Sequence, residues 1–97
     1  MPLRAPLFDR EAAEALALQA VAAIAADDDL LSRFLALTGS GADDLRHRLG
    51  DADFLGAVLD FMLQDDTLVQ RLATAAGVTP ETVALARAKL PGASTEA

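Results

Sequence analysis

The sequence predicts an all-α fold, a compact bundle of about six short helices. The chain has 97 residues, and its apolar residues are mainly 22 Ala and 17 Leu, which are strong helix formers. Residues that favour strands are scarce, since Ile occurs once and Tyr and Trp are absent. Capping residues recur before the apolar stretches, and Gly or Pro follows most of them. These signals divide the chain into helices with tight connections.

The first predicted helix runs from about Arg10 to Ala26, with Asp9 as its N-cap. It is apolar on most sides, which is typical of a helix that is buried on most sides. Its uncharged stretch, residues 15–26, is shorter than the roughly 18 apolar residues that a membrane span needs. We therefore expect a central helix of the core.

Five further helices are indicated by the same start and stop signals. They are expected at about residues 28–38, 41–49, 52–64, 66–76 and 80–90. Their expected N-caps are Asp27, Ser40, Asp51, Asp65 and Thr79. The fourth helix is strongly apolar and is expected to be central, like the first.

Two of the signals are more specific. Ser40 and Asp43 have the spacing of a capping box, with Asp in place of the usual Glu. Gly39 and Gly77 follow similar helices, and we expect both to end them in the left-handed conformation.

A shift of 38 residues aligns the two halves of the chain. The shift places Asp27 on Asp65 and Gly39 on Gly77, and apolar positions match between them. The sequence allows two related three-helix units, and it equally allows a coincidence in a chain rich in Leu and Ala.

Charge and composition exclude some classes of partner. Fifteen acidic and eight basic residues give a net charge of −7, which repels nucleic acid and anionic membranes. The chain has no Cys, which is compatible with a cytoplasmic location. We expect one domain over residues 1–97, with its core at about 9–90 and a flexible tail at 91–97.

Three stretches carry a family resemblance. They are EAAEALALQA at residues 11–20, SRFLALTG at 32–39 and DFLGAVLDFML at 53–63. They resemble a family of short bacterial proteins classed as a domain of unknown function, and the likeness spans about residues 9 to 90. The resemblance implies a small all-helical cytoplasmic domain and brings no activity, cofactor or catalytic residue.

The polar residues give no catalytic, cofactor or metal constellation. An ion-binding loop could start at Asp51, with Asp53 at its third position, but Leu55 and Met62 occupy the fifth and twelfth positions, where oxygen ligands are needed. His47 has no nucleophile in a recognisable pattern, and Asp60 is expected on the solvent side of the fourth helix. An enzyme is therefore the less favoured interpretation.

The remaining pattern favours a small cytoplasmic protein-interaction or adaptor module. A domain of this size leaves some apolar residues accessible. The expected interaction surface, used for self-association or for a basic or amphipathic partner helix, comprises Leu37, Phe54, Leu55, Phe61, Met62 and Leu63. The alternative is a small enzyme or ligand-binding protein with a cleft near Asp60 or His47. Exposed apolar area favours the first function, and a deep pocket with convergent polar groups favours the second.

Overall fold

A computed structural model describes residues 9–39 and 41–91 of the chain. This part of the chain contains six α-helices and no strand, which confirms the predicted all-α class. The helices are α1 (Arg10–Ala25), α2 (Asp28–Thr38), α3 (Ala42–Arg48), α4 (Ala52–Leu63), α5 (Asp66–Ala76) and α6 (Pro80–Ala88). No helix in the described ranges is both long and apolar enough to cross a membrane.

Side-chain oxygens cap five of the six helices at the predicted positions. The capping residues are Asp9, Asp27, Asp51, Asp65 and Thr79. Asp27, for example, accepts hydrogen bonds from the backbone N–H groups of Asp29 and Leu30 at 3.0 and 3.2 Å. These bonds satisfy donors that the first turn of a helix leaves without an intrahelical partner. The acidic clusters thus fix where the helices begin.

The predicted capping box of α3 is wrong. The N-cap is Gly41, and its backbone N–H lies 3.5 Å from an Oδ2 acceptor on Asp44 instead of Asp43. Ser40 lies outside the described residues. Because Gly41 has no side chain to accept from the first turn, α3 begins with a weaker cap than the other helices.

Gly39 and Gly77 end α2 and α5 as predicted. Their φ angles are 71° and 73°, in the left-handed region that glycine adopts without a Cβ clash. The backbone N–H of Gly39 donates to the carbonyl of Leu35 at 2.8 Å, which satisfies one carbonyl of the last turn.

The core lies around α1 and α4, which are central as predicted. α1 packs against α2, α4, α5 and α6, and α4 also packs against α5 and α6. The Phe34 ring of α2 meets the rings of Phe54 and Phe61 edge to face, with centroids 5.8 and 5.2 Å apart. This geometry is favourable for aromatic quadrupoles, so the three rings join α2 to α4.

The two halves of the chain share their caps and stops but differ in their third helix. α6 contributes Val83 and Ala86 to the core. α3 is attached instead through the half-buried Leu45 and Leu49. Common origin of the halves stays a prediction, and their packing is clearly unequal.

Candidate functional site

The residues expected to form an apolar surface separate into two groups. Leu37 is 63% exposed and Leu63 is half-buried, whereas Phe54, Leu55 and Met62 are at most 3% exposed. The expectation of an accessible apolar face on α4 is therefore wrong at those three positions. The reason is that α1, α5 and α6 all pack against α4 and cover its apolar sides.

Phe61 is strongly buried but still borders a depression at the surface. It is 6% exposed, and with Leu37, Ala36, Arg33 and Gln64 it lines a shallow depression of about 410 Å³ between α2 and the end of α4. We call this depression the Leu37 groove. The structure thus brings together two of the predicted surface residues, Leu37 and Phe61.

The register of α2 explains why Leu37 faces the groove. Leu30 and Phe34 are four residues apart and point into the core. Arg33 and Leu37 repeat the same spacing on an adjacent stripe of the helix, which leaves them at the edge of the core. Leu37 lies in the last turn of α2, three residues after Phe34, and its side chain is 63% exposed.

Arginine supplies the charge of the Leu37 groove. The Arg33 guanidinium carbon lies 5.8 Å from the centroid of the Phe61 ring, a weak cation–π contact. Within residues 9–39 and 41–91, no carboxylate lies within ion-pair distance of Arg33. The groove is therefore locally cationic in a chain whose net charge is −7.

A second depression, of about 270 Å³, lies between α1, α2 and α3. We call it the α3 groove. It is lined by Val21, Ala25, Leu31, Leu45, Arg46 and Leu49. Its walls are mainly apolar side chains, and its single charged residue is again an arginine.

Asp60 and His47 line neither groove. Both are exposed, Asp60 on α4 as predicted and His47 on α3. The Asp60 carboxylate accepts a 2.6 Å hydrogen bond from Nε of Arg87, so it is engaged in an ion pair. The described residues also contain no group of three or more His, Cys, Asp or Glu side chains placed to hold a metal.

The contact of Arg87 with α4 was missed by sequence reasoning. The Arg87 side chain is 11% exposed, and its Nη1 also donates to the carbonyls of Leu90 and Pro91, at 3.4 and 3.2 Å. A Cβ on Gly56 would lie only 2.8 Å from that Nη1. A glycine inside a helix was the available signal, since it often marks a close approach. We call this contact the Arg87 clamp.

Comparisons with known proteins bear on the family and not on the activity. No curated protein matches the chain. No solved structure matches it either. One family model, described as "Protein of unknown function (DUF3572)", matches residues 10–93, which is most of the chain. The resemblance seen in the sequence is confirmed, and the chain belongs to this DUF3572 family.

Proposed function

We propose that this protein is a cytoplasmic protein-interaction module that binds a partner protein through the Leu37 groove. The observation that carries the proposal is the 63% exposure of Leu37 beside the Phe61 ring. A partner side chain seated there would remove Leu37 from water, and burial of a leucine is worth up to about 2 kcal/mol.

The charges around the groove define the chemistry of the partner. Arg33 has no carboxylate within ion-pair distance among the described residues, so a carboxylate beside the partner's apolar side chain would complement it. The net charge of −7 disfavours a partner that is acidic throughout. The fitting partner is an amphipathic helix that is basic or neutral overall and carries one acidic residue near its apolar anchor.

Position distinguishes Leu37 from the other exposed leucines. Leu18 and Leu85 are 42% and 52% exposed, but neither lines the Leu37 groove or the α3 groove. Single exposed apolar residues are common on protein surfaces and need no functional explanation. A leucine beside a concave apolar surface and a charged residue is a more specific arrangement.

Capture from the native cell with matched variants tests the proposal. The tagged full chain, Leu37→Gln and Leu85→Gln are each used for affinity purification, followed by mass spectrometry. Gln has nearly the helix propensity of Leu, so both variants keep their helices. We expect at least one protein that is captured by the wild type and by Leu85→Gln but is reduced about tenfold with Leu37→Gln, which corresponds to the loss of one anchor contact.

Other results would count against the proposal. Equal capture by all three proteins would show that the Leu37 groove is not the docking surface. If the captured species is the chain itself, and light scattering shows a dimer that Leu37→Gln dissociates, the groove mediates self-association instead of partner binding. The enzyme or ligand-binding alternative has less support, because Asp60 is paired with Arg87 and lines neither groove.

A further inference from the structure

The α3 groove is a place where the two halves of the chain pack differently. Under the 38-residue correspondence, groove residues Val21, Leu31 and Leu45 match Leu59, Val69 and Val83. The three groove residues are half-buried, whereas their counterparts are at most 8% exposed. The apolar surface that the second half buries is therefore left partly open in the first half.

The packing of the third helix explains this difference. α6 packs against α1, α4 and α5 and closes the second half. α3 is shorter, with seven residues against nine, and does not pack as closely against α1 and α2. The matched positions are nevertheless apolar in both halves, as Leu45 and its counterpart Val83 show. Apolar residues that the fold does not bury are available to a partner.

Arg46 gives the α3 groove its charge. Its side chain is exposed and lines the groove, and its counterpart in the second half is Ala84. Of the basic residues in the last turn of α3, Arg46 is the one that lines the groove. No carboxylate lies within ion-pair distance of Arg46 in the described ranges. The groove thus combines apolar walls with one positively charged side chain, that of Arg46.

We infer that the α3 groove is a second docking site, specific for an amphipathic helix of a partner protein with acidic residues beside its apolar face. The apolar face packs between α1, α2 and α3, and a carboxylate pairs with Arg46. This site shares no residue with the Leu37 groove, so it stands independently of the function proposed there. A second copy of the chain is a different occupant, and the experiment below separates it from a partner helix.

Two synthetic helical peptides test the assignment on the full chain. Both have the same face of Leu and Ala, and the polar face carries Glu in one peptide and Lys in the other. Each is titrated into the ¹⁵N-labelled protein while backbone amide shifts are recorded. We expect the Glu peptide to shift residues around Val21, Leu31 and Leu45 and to bind about tenfold more tightly there than the Lys peptide, the size of one charge-assisted contact.

The net charge makes this a demanding test, since it favours the Lys peptide everywhere else on the surface. Arg46→Glu should reverse the preference at the α3 groove. Lys89→Glu is the matched control, because it changes the net charge equally at an exposed residue outside both grooves, and it should leave the preference intact. Both variants should keep the dispersed spectrum of the folded wild type.

Three results would overturn the inference. The first is equal binding of the two peptides, or binding of neither, at the α3 groove. The second is a preference that Arg46→Glu and Lys89→Glu change equally, which would trace it to net charge. The third is a concentration-dependent shift of the groove residues without peptide, which would identify a second copy of the chain as the occupant.

Discussion

Gly56 and Arg87 illustrate at the scale of single residues how the end of α6 is held on α4. Arg87 lies against Gly56, pairs with Asp60 one turn later on α4, and donates to two carbonyls of the following chain. A side chain at position 56 would occupy the space of the guanidinium. The glycine is thus explained by a neighbour 31 positions away in the sequence, which local patterns do not reveal.

Gly56→Ala should lower the free energy of unfolding by about 1 kcal/mol. Ala favours a helix interior over Gly by about 1 kcal/mol, but overpacking of a filled site costs about 1–3 kcal/mol. The new Cβ would lie 2.8 Å from Nη1 of Arg87 and 3.0 Å from the carbonyl oxygen of Pro91. Urea unfolding measures the change.

The same substitution in an Arg87→Ala background is the control for this explanation. Two of the three nearest atoms belong to Arg87, so Gly56→Ala should cost less there or become stabilising. An equal cost in both backgrounds would show that the Arg87 clamp is not the reason for the glycine.

At the scale of elements, helix starts and stops were largely predictable because they depend on neighbouring residues. An aspartate before an apolar stretch, or a glycine after it, acts within one turn of the chain. The third helix was the exception. Ser40 and Gly41 offer two adjacent starts, and sequence alone favoured the residue with a side chain, whereas α3 begins after Gly41.

Gly39→Ala and Gly77→Ala should each destabilise the protein by about 1 kcal/mol, because Ala is disfavoured at positive φ. Nothing lies within 4 Å of a Cβ built at either site, so the expected cost comes from the backbone alone. Gly50→Ala is the control, since Gly50 also has open space around it but does not have positive φ. It should be neutral or slightly stabilising. Thermal unfolding compares the three variants, and an equal loss in all of them would contradict the αL explanation.

At the scale of the whole molecule, the fold class followed from composition and spacing, but the accessible surface did not. The strongly apolar fourth helix was expected to be central, but the sequence does not show which of its apolar residues, such as Phe54, are fully covered and which apolar residues elsewhere, such as Leu37, stay exposed. The difference depends on which helices cover α4, which is a property of the complete packing. Phe54, Leu55 and Met62 are therefore buried, whereas Leu37 and Phe61 line the Leu37 groove, and an interaction at that groove stays a proposal.

Net charge was likewise an incomplete guide to the candidate sites. The chain carries −7, yet the charged residue that lines each groove is an arginine. Several carboxylates cap helices, and others form ion pairs with arginines outside the grooves, namely Arg10, Arg71 and Arg87. The long-range electrostatic field of the protein is therefore negative, whereas the charged side chains that line the grooves are positive. The local charges govern which side chain a groove accepts.

The most direct test of the central claim, that the Leu37 groove binds a partner protein, is site-specific photo-crosslinking in the native cell. A photoreactive amino acid replaces Leu37, which is 63% exposed, in one protein and Leu85, which is 52% exposed, in another. We expect position 37 to link to a defined partner segment that carries an apolar residue and a nearby acidic residue, and position 85 not to link to it. If position 37 gives no adduct, or if both positions give the same adducts, the Leu37 groove is not the docking surface.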